Sequence, residues 1–103
     1  MTLPRCLVYC LPVLGLFALP ITADGYTGQR LAGNAKVTLS EARSIALRAR
    51  PGAITVEELE KERGGSGLRY SFDIKSGKAT YEVGVDARSG KVLQNTKEGR
   101  PPD

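Results

Sequence analysis

The sequence predicts an α+β domain with one N-terminal helix packed on a four-stranded antiparallel sheet, in the order α-β-β-β-β. Three observations predict it. One stretch repeats apolar residues at helical period behind a capping signal. Two later stretches alternate apolar and polar residues across a glycine-bearing turn. No strand–helix–strand unit occurs, which disfavours a parallel sheet and a nucleotide-binding fold.

The helix is expected from Leu39 to Arg50. Thr38 and Glu41 form a T-x-x-E capping box, in which the hydroxyl accepts from the Glu41 N–H and the carboxylate reaches back to the Thr38 N–H. Val37 and Ala42 occupy the hydrophobic-staple positions. Leu39, Ala42, Ile45, Ala46 and Ala49 fall on one arc of about 120°, while Glu41, Ser44 and Arg48 lie opposite and Leu47 falls outside it as an exposed leucine. Arg48 and Arg50 suit the negative end of the helix dipole, and Pro51-Gly52 stops the helix.

Ile54 and Val56 open the first strand, which continues through the charged stretch Glu57 to Arg63. Leu59 breaks the alternation and predicts a bulge near Glu57-Glu58. Gly64-Gly65-Ser66-Gly67 is a loop. In the second strand Leu68, Tyr70, Phe72 and Ile74 alternate with Arg69, Ser71 and Asp73. In the third, Ala79, Tyr81, Val83 and Val85 alternate with Thr80, Glu82, Gly84 and Asp86. A two-residue Ser76-Gly77 loop would set Phe72 opposite Tyr81, Tyr70 opposite Val83 and Leu68 opposite Val85. Asp86 to Gly90 is a second turn, with Gly90 free to take a positive φ. Lys91 to Asn95 is a short fourth strand. The apolar face, including the aromatic rings of Tyr70, Phe72 and Tyr81, is expected under the helix, and the other face polar and open.

The chain divides into four parts. Residues 1–23 read as a signal peptide, with Arg5 as the positive start, an apolar run from Leu7 to Ile21 and small residues at Thr22-Ala23. That run falls short of the roughly 20 residues a spanning helix needs, so no stable membrane insertion is expected after cleavage. Residues 24–36, with Gly25, Gly28 and Gly33, read as a flexible linker. The domain proper covers 37–95, and 96–103 read as a disordered tail. The predicted location is periplasmic or secreted. Both cysteines, Cys6 and Cys10, lie in the signal segment, so the exported domain is expected to stand on packing alone, without a disulfide.

Composition removes most chemistry. The chain has no histidine, and with both cysteines in the signal segment neither the usual zinc, copper and haem ligand sets nor a Cys-His or Ser-His pair is available to the domain. Ser76-Gly77-Lys78 and Ser89-Gly90-Lys91 repeat a serine–lysine triplet, but both read as turns. Asp86 to Gly90 lacks the spaced acidic residues of a calcium loop. Glu57, Glu58, Glu60 and Glu62 interleave with Lys61 and Arg63 as a solvated edge strand resists aggregation. The net charge of +4 mixes both signs, which argues against nucleic acid. The expectation is no catalytic residue, no cofactor and no metal: a binding module rather than an enzyme. Two contact routes follow. A partner could dock on the polar sheet face, through Arg69, Ser71, Asp73, Thr80 and Glu82, or pair with an outer strand.

Several segments together resemble a known family. They are Leu39-Ser40-Glu41-Ala42 through Ile45-Ala46-Leu47, then Pro51-Gly52 before a charged strand, and above all Tyr81-Glu82-Val83-Gly84-Val85-Asp86-Ala87-Arg88-Ser89-Gly90-Lys91-Val92-Leu93. The last is similar to the aromatic-E-V-x-V-D-x-x-(S/T)-G-K-V-L signature of PepSY domains. The resemblance implies a fold like the α-plus-four-strand unit of the beta-lactamase inhibitory protein. It also implies a role in restraining peptidases or modulating an envelope protein, here in trans because no protease domain accompanies it. The alternative is a periplasmic sensor or accessory protein relaying a signal to a membrane protein such as a sensor kinase. Transfer of function from fold is by analogy.

Overall fold

A computed structural model describes residues 26–99. The expected signal peptide at 1–23 lies outside the described residues, as do residues 100–103 of the expected tail. The order of elements is a 3-10 helix (Gln29–Asn34), α1 (Leu39–Ala49), β1 (Ala53–Lys61), β2 (Leu68–Ser76), β3 (Ala79–Asp86) and β4 (Val92–Lys97). The strands form one antiparallel sheet in the order β1-β2-β3-β4, and α1 packs on one of its faces.

The capping box forms in full. The Glu41 N–H donates to Thr38 Oγ1 at 3.1 Å and the Thr38 N–H to Glu41 Oε1 at 2.9 Å. Ala42 and Ala46 form the fully buried contact line of α1. Their short side chains let the helix axis approach the sheet, and Leu39, Ile45 and Leu47 pack around them half-buried. Leu47 is therefore not the exposed leucine its helical angle suggests. The sheet is wider than the apolar arc, and a leucine side chain reaches back to its rim.

Beneath the helix lie Leu59, Tyr70, Phe72, Ile74, Val83 and Val85, all at most 1% exposed. Phe72 and Tyr70 stack with centroids 6.4 Å apart, and the Tyr70 hydroxyl donates to the Val37 carbonyl at 2.7 Å. The buried phenol thus keeps a partner at the helix entry. Tyr81 sits at the rim, with the Arg50 guanidinium 3.8 Å over its ring.

The structure corrects the hairpin register. Ser76 pairs with Ala79, so Gly77-Lys78 and not Ser76-Gly77 is the two-residue loop, and Ile74 faces Tyr81, Phe72 faces Val83 and Tyr70 faces Val85. Gly77 takes φ +68°, the positive angle a tight hairpin asks of its first loop residue. The shift moves each strand by a whole pleat repeat, so the apolar faces still coincide.

The bulge in β1 also lies earlier than expected, between Ile54 and Val56. Thr55 is the extra residue, and its hydroxyl donates to the Asp73 carbonyl at 3.3 Å. The bulge flips the alternation. Ile54 and Leu59 both face the helix, Glu57 joins them, and Val56 is turned outward at 41% exposure. Glu57 then meets Arg43 of α1 in a two-pronged ion pair at 2.5 and 3.0 Å. The pair is partly solvated and contributes under about 1 kcal/mol.

Two chain segments outside the expected domain fold onto it. Strand β4 runs through Thr96 and Lys97, and the Glu98 N–H donates to the Thr80 carbonyl at 2.7 Å. The expected linker carries the 3-10 helix and lies along β1. Thr27 forms a parallel bridge with Glu58, and the Leu59 N–H donates to the Thr27 carbonyl at 2.8 Å. Both segments lack apolar alternation; backbone pairing holds them, and Tyr26, Leu31 and Ala35 of the first also pack partly buried against the core. Gly28 permits the first contact, because a Cβ there would lie 1.8 Å from the Leu59 carbonyl oxygen, at φ +86°. Gly28→Ala should therefore lift the 26–34 segment off β1 with the sheet intact. Hydrogen exchange at the Leu59 amide should accelerate to the rate of an unpaired edge amide while the Phe72 amide stays protected.

Candidate functional site

The sheet face opposite α1 gathers all five residues singled out above. The ladder sets Asp73 against Glu82, Lys75 against Thr80, Ser71 against Gly84 and Arg69 against Asp86. Two of the five are nonetheless buried, Arg69 at 7% exposure and Ser71 at 5%. The expectation of a wholly open polar face fails at those two positions. The reason is local: the loop between β1 and β2 and the β4 side chains cover that end of the face. Arg69 lies across the notch left by Gly84, where a Cβ would stand 3.1 Å from Nη1. Its Nη1 donates to Gln94 Oε1 at 3.2 Å and its Nη2 to the Arg63 carbonyl at 3.0 Å. Ser71 donates to Glu60 Oε2 at 2.7 Å. These side chains join strands and loop, although the buried Arg69 Nε has no hydrogen-bond partner among the described residues.

What remains of the face carries the half-buried Glu58, Asp73, Thr80 and Glu82, with the exposed Lys75 opposite Thr80. Burial, followed by the neighbouring carboxylate of Glu60, pushes the Glu58 carboxyl above the ordinary range. Burial and then Asp73 do the same to Glu82. Burial leads both shifts, and the neighbouring carboxylates add to it.

Asp86 is the polar centre of the other end. It is 1% exposed. Its carboxylate accepts from the Ser66 N–H at 2.6 Å, the Ser66 hydroxyl at 2.9 Å, the Arg88 N–H at 2.8 Å and the Ser89 N–H at 3.0 Å. Burial alone would raise this carboxyl, but the donors from Ser66, Ser89 and Arg88 outweigh it and hold the group well below the usual carboxylate range. One side chain therefore closes its own turn and clamps the Gly64–Gly67 loop 20 residues earlier. Gly65 makes room for it, since a Cβ there would lie 2.1 Å from Asp86 Oδ2. The reading of Asp86–Gly90 as a turn holds, with Gly90 at φ +81°. The sequence reading missed the clamp on Ser66. Its only signal is an aspartate at a strand end, where it commonly bonds the backbone two residues on.

The signature stretch thus has a structural meaning: β3, a turn locked by Asp86, and β4. The family model for the peptidase propeptide and YPEB domain matches residues 36–94, more than half the chain. The chain belongs to the PepSY family. The matched span begins one residue before the expected domain and ends one before its expected end. No curated protein and no solved structure matches the chain. PepSY domains are propeptide- or inhibitor-like and generally non-catalytic, and proteins that carry them are typically extracellular or periplasmic. Among the described residues of this PepSY domain no helix is long and apolar enough to cross a membrane. An open groove between α1 and the β3–β4 turn is lined by Val37, Ile45, Ser44, Arg48 and Ser89. Glu41 also lines it, with its carboxylate held by the Thr38 N–H in the helix cap.

Proposed function

We propose that this PepSY domain is an exported binding module that acts in trans, restraining or modulating a peptidase of the cell envelope. The observation that carries the reading is the peptidase-propeptide family match over residues 36–94. The site supports it. Arg69, Ser71 and Asp86, the buried polar side chains, are spent on holding strands and loops together. The remaining polar surface at Asp73, Thr80 and Glu82, beside Glu58, is shaped for contact with a macromolecule rather than for chemistry on a small one. Export follows from the reading of residues 1–23 as a signal peptide, and the alternative role is that of an accessory protein to a membrane-bound sensor.

The test is to titrate the purified protein into assays of secreted metallopeptidases from the same organism. Cleavage of a peptide substrate by one of them should slow in proportion to added protein and level off near one equivalent. Undiminished cleavage at large excess across the set, together with stoichiometric binding to a sensor-kinase ectodomain, would replace this reading with the sensor one.

A further inference from the structure

The two edges of the sheet are not equivalent. The outer edge of β1 is met by the chain itself at one point, where Thr27 receives the Leu59 N–H. Along β4 no described residue pairs with the outer edge. The Glu98 N–H to Thr80 bond sets the phase of the β3–β4 ladder. By antiparallel alternation, Gln94 and Thr96 direct their backbone groups at β3, and Asn95 and Lys97 direct theirs outward. The edge is also braced. Asn95 Nδ2 donates to the Ala49 carbonyl at 3.2 Å, and its Oδ1 accepts from Arg50 Nε at 3.2 Å, tying the strand to the end of α1. A row of outward donors and acceptors on a fixed strand is a template for another strand.

Charge selects the occupant. From Ala87 to Glu98 the chain carries Arg88, Lys91 and Lys97 against one acidic residue, Glu98, whereas β1 and its end carry Glu57, Glu58, Glu60 and Glu62. A second copy docking β4 to β4 in antiparallel fashion brings two lysines, Lys91 and Lys97, against one carboxylate, Glu98, a poorer match than an acidic strand. A second copy docking its acidic β1 to this β4 would have to displace Thr27 from Leu59. We infer that the β4 edge receives an extended acidic segment of a different polypeptide, which adds as a fifth strand and places its carboxylates near Lys91 and Lys97. The inference rests on the reading of the domain as a binding module and names the surface and the chemistry of its partner.

The test uses the isotopically labelled full chain and a short probe peptide alternating glutamate and threonine, with a lysine–threonine peptide as control. The acidic peptide should bind saturably and slow amide exchange at Asn95 and Lys97, with no change at Leu59. Lys97→Pro removes one outward N–H at a position where an edge strand tolerates proline, and should weaken binding at least about tenfold. Lys97→Gln, which keeps the N–H, should weaken it less. Equal binding of the lysine peptide overturns the charge assignment. Protection at Leu59 with release of the 26–34 segment moves the site to β1. Protection of β4 amides that grows with protein concentration alone assigns the edge to a second copy. A Lys97→Pro protein that still slows a peptidase as well as the parent overturns the β4 site and leaves the proposed function standing.

Discussion

Asp86→Ala should destabilise the domain by about 2–3 kcal/mol, because the change takes the acceptor from three part-buried backbone N–H groups and frees the Ser66 loop at once. A folded unit of this size has about 4–11 kcal/mol in all, so a large part of its stability hangs on one carboxylate. Denaturant titration reads the loss as a lower midpoint. The same group predicts an acid limb. Its folded pKa lies below that of the unfolded chain, so the unfolded state binds more protons in the window between them. The contribution is complete above about pH 5, where even the unfolded aspartate is almost fully ionised. It is lost progressively as the pH falls toward the folded value. Asp86→Asn should start less stable at pH 7 and lose less than the parent between pH 4 and pH 2. Parallel acid limbs for parent and variant would show that Asp86 is not the group responsible.

Phe72→Ala should cost about 3–5 kcal/mol. The ring is fully buried at the middle of β2, between Val83 on β3 and Glu57 on β1, and stacks with Tyr70. Removing it leaves a cavity that the neighbouring strands cannot collapse to fill, since their spacing is set by the ladder. A denaturant titration showing a loss under about 0.5 kcal/mol would place Phe72 at the surface. Phe72→Leu should lose much less, because it keeps most of the apolar volume.

The helix and the apolar core were legible because their determinants are local. Thr38 and Glu41 are three residues apart, and the 3.6 and 2.0 periods mark which side chains share a face. The hairpin register was off by two because Ser76-Gly77 and Gly77-Lys78 both preserve the alternation. Only the pairing of Ser76 with Ala79 in the folded sheet separates them. The bulge at Thr55 was misplaced for a related reason. Val56 looks like a core residue until the strand's pairing with Ile74 and Asp73 shows it turned outward.

The candidate surface was legible as a face but not as a site. Period-two alternation put Arg69, Ser71, Asp73, Thr80 and Glu82 on one side, and the ladder agrees. It could not foretell that a loop and β4 would cover Arg69 and Ser71, because Arg63, Glu60 and Gln94 are between 6 and 25 residues away. Nor could it show which edge was free, since Thr27 and Leu59 are joined by a backbone bond that no side chain announces.

Sequence alone determined the family, the order α-β-β-β-β and the identity of the oily residues, since capping, periodicity and turn chemistry act within a few residues of the chain. Tertiary structure alone decided that Asp86 locks two distant loops, that the 26–34 segment meets the β1 edge at Leu59 and that no described residue pairs with the outer edge of β4. Those contacts depend on where separate segments meet in space, and backbone hydrogen bonds between them are available to almost any residue.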